Sequence, residues 1–130
     1  MPGRAPDDIL ARLRAICQAF PEVTERPSHS APTWFVRGKS SFLTLWADGH
    51  HDNTFPHLWC AAPPGEQEAL IAARPELFFR PPYVGGRGWL GIRLDRRPDW
   101  TELAELCADA YRTVAPARLA AQLDQDGRTA

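Results

Sequence analysis

The side chains best equipped for chemistry in this 130-residue chain are cations set beside glycines. Arg37 and Lys39 flank Gly38, between two β-prone runs. Arg87 lies among Gly85, Gly86 and Gly88, and Arg93, Arg96 and Arg97 follow it. Fourteen of the fifteen bases are Arg, whose forked guanidinium suits phosphate and carboxylate. The glycines would let backbone N–H groups come close to an anion. If the two loops project from one sheet edge, they straddle a phosphate backbone as two wings, with salt-sensitive and sequence-independent affinity. The bland alternative is a turn that needs positive φ, surrounded by solvated arginines. Gly85-Gly86-Arg87-Gly88 lacks the P-loop spacing.

Aromatic side chains form the second group. Trp34, Trp46, Trp59, Tyr83 and Trp89 lie on or beside β-prone segments. On a helix-covered face they are core. On an open face they would line a groove, with Trp89 and Arg93 as one wall, able to stack a base or hold a small molecule. Such a face could also meet a partner or a second copy.

His50, His51, Asp52 and His57 are of metal-ligating types, but no fourth ligand stands at a characteristic spacing, so no metal is expected. His29, between Ser28 and Ser30, has no evident orienting partner, and neither serine sits in a nucleophile elbow. Cys17, Cys60 and Cys107 are odd in number and lie in apolar contexts without a CxxC pair, which reads as buried reduced thiols. No constellation carries a reaction, so the chain is expected to be non-enzymatic and to need no cofactor.

The elements that must position these groups follow from periodicity. Ile9, Leu13, Ile16, Cys17 and Phe20 recur at helical spacing, predicting a helix from Pro6 to Ala19 that Pro21 stops. Thr33–Arg37 and Phe42–Ala47 predict a hairpin, and His57–Ala61 a third strand. Weak β character from Val23 to Pro27 would add an edge strand, where proline is tolerated. A second helix opens after Pro63-Pro64-Gly65 and closes at Pro75; Phe78-Phe79 is a short apolar segment, and Trp89–Leu94 alternates as a strand. Asp99 with Glu102 three residues on marks the start of the last main helix, whose apolar stripe runs from Trp100 to Val114. Ala117–Leu123 makes one more short helix. The order helix, strands, helix, strands, helix predicts an α+β fold of two layers, an antiparallel sheet with helices on one face. Residues 1–123 read as one domain and 124–130 as a frayed tail.

Composition sets outer bounds. With 44% hydrophobic and 24% charged residues the chain is ordinary globular material, and no run approaches a membrane span. The start has no apolar signal region, so a cytoplasmic protein that contacts no membrane is expected. A net charge of −1 suits a dedicated nucleic-acid binder poorly. The charge is nonetheless segregated. Residues 26–47 hold three bases and no acid, and 80–97 hold five bases against Asp95; residues 48–79 and 98–111 are acidic.

Several blocks in order carry a family resemblance: Arg26-Pro27-Ser28-His29 with Pro32-Thr33-Trp34; Gly38-Lys39; Ala62-Pro63-Pro64-Gly65-Glu66-Gln67-Glu68-Ala69-Leu70; Phe78-Phe79 with Pro81-Pro82-Tyr83-Val84-Gly85; Arg87-Gly88-Trp89; and Tyr111-Arg112-Thr113-Val114-Ala115-Pro116. Together they resemble the MmcQ/YjbR family from the first helix to about Leu119. The resemblance implies an α-β(3)-α-β(2)-α fold, similar in outline to secretion-chaperone and frataxin-like (CyaY-like) domains. It also implies DNA binding of a double-wing type, with no catalytic residues. Members often carry a Lys near the end of the strand before Pro-Pro-Gly; here Ala61-Ala62 stand instead, and that phosphate contact is missing.

The leading expectation is therefore a protein that grips double-stranded DNA with Arg37, Lys39, Arg87, Arg93, Arg96 and Arg97. The alternative is a small-molecule or peptide binder whose groove uses His29, Trp34, Trp59, Tyr83 and Trp89. A third reading is a chaperone-like homodimer that holds a partner, against a monomer or weak homodimer in the first two.

Overall fold

The computed structural model describes residues 5–50 and 53–129. Helix α1 (Ala5–Gln18) leads into four strands, β1 (Val23–Ser28), β2 (Ala31–Val36), β3 (Ser40–Trp46) and β4 (His57–Cys60). Helix α2 (Glu66–Ala73), strands β5 (Phe78–Phe79) and β6 (Leu90–Arg93), and helices α3 (Trp100–Val114) and α4 (Ala117–Thr129) complete the chain. The strands form one antiparallel sheet in the order β1-β2-β3-β4-β6-β5. This is the expected α+β architecture with one strand more than the resemblance implies. The addition is β1, which lies at the sheet edge and so accommodates Pro27. Helix α4 continues past Leu123 to Thr129, and Arg112 of α3 reaches Asp124 on it at 2.9 Å.

Register divides the side chains between two faces, because successive residues of a strand point oppositely. One face carries the cross-strand row Trp34–Leu43–Cys60–Leu90 and the row Leu45–Leu58–Ile92–Phe78. These pack with Ile9, Leu13 and Cys17 of α1 and Leu103, Cys107, Ala110 and Tyr111 of α3 to make the core. The opposite face carries Arg26–Thr33–Thr44–Trp59–Gly91–Phe79 and the row Trp46–His57–Arg93. A register shift at Trp34/Phe35 makes Phe35 face Ser41 while Trp34 faces Leu43. Phe42 falls in the resulting bulge, is fully buried, and meets Tyr111 edge-on at 5.7 Å.

The second layer is fixed by a few polar links. Tyr111 Oη donates to the Pro21 carbonyl at 2.7 Å, tying α3 to the chain between α1 and β1. Arg14 of α1 pairs with Glu25 of β1 at 2.9 Å. Asp99 caps α3 by accepting from the N–H groups of Thr101 and Glu102. Glu102 itself pairs with Arg74, so it clamps α3 to the end of α2 instead of closing a capping box. Cys17, Cys60 and Cys107 are free, buried thiols. A hydrogen bond with Cys107, together with burial, pushes the Cys17 thiol well above its ordinary range; burial does the same to Cys60. Among the described residues no helix is long and apolar enough to cross a membrane.

Candidate functional site

The face of the sheet turned away from α1 and α3 is hollow. A concavity of about 580 Å³ opens there, lined by Thr33 and Thr44 on the sheet, by Trp46, Trp59 and Trp89, and by the rim residues His29, His50, Tyr83 and Arg87. Small hydroxyl residues at its floor explain the hollow: Thr33 and Thr44 are directly paired, with their hydroxyls 3.2 Å apart, where the other face carries Trp34 and Leu43. Trp46 and Trp59 rise beside them, 5.0 Å apart and tilted by 57°. His50 packs on both, at 4.3 Å from Trp46 and 5.0 Å from Trp59. The indole N–H groups of Trp46 and Trp59 are buried without a hydrogen-bond partner. A volume of this size, mostly apolar with a few polar groups, is typical of a small-ligand site.

Two rim residues occupy backbone conformations that side chains with a Cβ resist. His29 and Ser30 form the two-residue connection between β1 and β2, closed by the Ser28–Ala31 pair, and have φ of 52° and 65°. A type I′ hairpin requires positive φ at both positions and ordinarily recruits Asn-Gly. The turn carries His29 to the rim, its Nδ1 within 3.2 Å of Ser28 Oγ. Across the hollow, Tyr83 has φ of 64° and is 81% exposed, an unusual state for a large aromatic side chain.

Arg87 belongs to a short 3-10 turn, Gly85–Arg87, that ends at Gly88 with φ of 88°. Gln67 of α2 is buried and donates from Nε2 to the carbonyls of both Gly85 and Trp89, so it grips the turn at both ends. A Cβ on Gly85 would stand 2.7 Å from Arg80 Cγ, which is why glycine is required there. The Arg87 guanidinium lies 5.4 Å from the centre of the Trp89 ring.

The structure brings together four of the five residues expected for an aromatic groove: His29, Trp59, Tyr83 and Trp89. Trp34 is a correction. It is fully buried on the helix-covered face, because it shares a cross-strand row with Leu43 and Cys60. Trp46, named with the aromatics but not among the groove residues, and His50, Thr33 and Thr44 also line it. Strand parity could have found Thr44 and Trp46, which alternate with Leu43 and Leu45.

The six expected cations are not gathered into one surface. The turn with Arg37 and Lys39 and the turn with Arg87 lie at the same end of the sheet, separated by β3 and β4. Arg93, Arg96 and Arg97 follow from the opposite end of β6. Arg37 pairs with Glu22 at 3.0 Å. Arg93 makes a forked pair with Asp95 and lies 3.8 Å from the Phe55 ring centre, and Arg96 approaches the same carboxylate at 3.9 Å. The Arg93 guanidinium holds the Asp95 carboxyl below the usual range. Lys39, Arg87 and Arg97 have no carboxylate partner among the described residues. The polar loop with His50 continues into His51 and Asp52, which lie outside the described residues. His57 is apart from that loop: it is fully buried between Phe55 and Phe79, with Nδ1 2.8 Å from the Phe55 carbonyl. Burial is the main reason its pKa is lowered.

No curated protein matches the chain. A solved structure similar to it is the crystal structure of Deinococcus radiodurans protein DR2400, described as a DUF419 domain. The two are 19% identical, with a TM-score of 0.67 over 80% of this chain and 76% of that one. That likeness is one of fold. The YjbR family model matches residues 18–113, a span that includes the whole sheet, the strained β1–β2 turn, the Gln67 clamp and the glycine turn of Arg87. The chain belongs to the YjbR family.

Proposed function

We propose that the protein binds a small ligand in the tryptophan-lined concavity on the open face of its sheet. The observation that carries this is convergence: three tryptophans, His29, Tyr83 and Arg87, drawn from four separate chain segments, surround one hollow of about 580 Å³. The positive φ of His29 and Tyr83 holds both side chains at the rim of the hollow. No reaction is assigned to the site. His29 touches Ser28, but no third group orients the pair.

The duplex reading has less support. Arg37, Arg93 and Arg96 are already engaged by Glu22 and Asp95, so recruiting them to phosphate would cost those pairs. Titration of intrinsic tryptophan fluorescence separates the two. A ligand of the concavity quenches or shifts the emission in a saturable way that tolerates 0.5 M salt. Phosphate-backbone binding would instead weaken steeply with salt. Saturable duplex binding at low salt with no response to any small aromatic molecule would overturn the proposal.

A further inference from the structure

We infer that the ligand of the concavity is a planar aromatic anion, one ring system bearing one carboxylate or phosphate, with its acidic group on Arg87. This rests on the concavity being the ligand site. Three observations select the charge. Among the described residues, none of the twelve that line the concavity is Asp or Glu, whereas His29, His50 and Arg87 are bases. Arg87 has no carboxylate partner among the described residues. It is also presented on a built platform, with Gln67 bonded to carbonyls on both sides of it and Arg80 packed under Gly85. A guanidinium carried on a held turn beside the Trp89 ring and left unpaired offers an anion a charge-assisted contact.

The walls select the ring. Trp46, Trp59 and Trp89 present aromatic surface on one hollow, with Trp46 and Trp59 tilted together 5.0 Å apart. The small Thr33 and Thr44 floor leaves room for the ring, and Tyr83 at the rim can close over it. This chemistry is met by a free aromatic acid, a mononucleotide, or one nucleotide of a single strand.

The test is calorimetric titration of the full chain with two matched pairs, indole against indole-3-carboxylate and adenosine against its 5′-monophosphate, plus a short single-stranded oligonucleotide. The charged member of at least one pair should bind about tenfold or more tightly than its neutral partner. Arg87→Met, an exposed change that keeps the stem, should close that gap with the melting temperature unchanged. Equal affinity within each pair would overturn the anion assignment and leave the ligand site standing. No binding of any probe at millimolar concentration would overturn both. An oligonucleotide binding tenfold tighter than the mononucleotide would overturn the free small ligand in favour of a strand.

Discussion

The β1–β2 turn allows stability and binding to be separated. Ser30 has φ of 65° in a turn that glycine would favour, and it is exposed. Ser30→Gly relieves a left-handed conformation worth about 1–2 kcal/mol and returns about 0.5–1 kcal/mol as extra unfolded-state entropy, leaving a gain of roughly 0.5–1 kcal/mol. For a chain of this size that raises the melting temperature by roughly 2–5 °C. His29 lies beside it with φ of 52° and is also exposed. His29→Asn keeps a residue that tolerates the conformation, so it should leave stability equal or raise it by a few tenths of a kcal/mol, as roughly expected for the turn. Only His29 faces the concavity. Melting followed by circular dichroism, with a fluorescence titration of each variant, should show Ser30→Gly more stable with unchanged binding. His29→Asn should be at least as stable with binding weakened. A fall in melting temperature for Ser30→Gly would show that the turn is unstrained. Unimpaired ligand binding by His29→Asn would remove His29 from the site.

Three further outcomes test the account. Burial lowers the pKa of His57 with help from His50 and Arg93, against the Phe55 carbonyl and Asp95. The unfolded chain therefore takes up this proton at higher pH than the folded one. Unfolding free energy should fall as pH drops through about 6.5, at up to about 1.4 kcal/mol per pH unit, until the folded-state pKa is reached. Urea midpoints measured from pH 8 to pH 5 should show this, and His57→Phe should flatten it. Gly91→Ala places a Cβ 2.5 Å from the Phe79 ring, and the overpacking should cost about 1–3 kcal/mol; most of that loss should return in the Gly91→Ala, Phe79→Leu double variant, read by denaturant unfolding. Tyr111→Phe keeps the ring contacts with Phe20 and Phe42 but strands the Pro21 carbonyl, at a cost of about 1–3 kcal/mol in the same assay.

The fold was legible because its signals are local. Proline and glycine punctuate the elements, helical periodicity runs through Leu13 and Cys17 and again from Trp100 to Val114, and Asp99 is the cap it resembles. The extent of α4 was less legible, since the support at Asp124 comes from Arg112 of another helix. The site was legible in part. Residue type pointed to tryptophans, but their face depends on pairing register, and the shift at Trp34/Phe35 cannot be read from one strand alone. Register, not residue type, puts Trp34 in the core and Trp46 and Trp59 on the open face. The cations misled for a related reason. Arg93 and Asp95 are two residues apart and form a forked pair, whereas Arg37 finds Glu22 fifteen residues away, across the sheet edge. A block charge count includes Asp95 without showing its pairing, and leaves out Glu22 altogether.

The most direct measurement is a nitrogen–proton correlation spectrum of the labelled protein, in which five tryptophans give five indole N–H resonances. Trp46, Trp59 and Trp89 line the concavity; Trp34 lies in the core and Trp100 on the opposite layer, beside Arg12 of α1. On titration with indole-3-carboxylate, the resonances of Trp46, Trp59 and Trp89 should move together to saturation while those of Trp34 and Trp100 stay. Movement of Trp34 or Trp100 alone, or none of the five, would contradict the account.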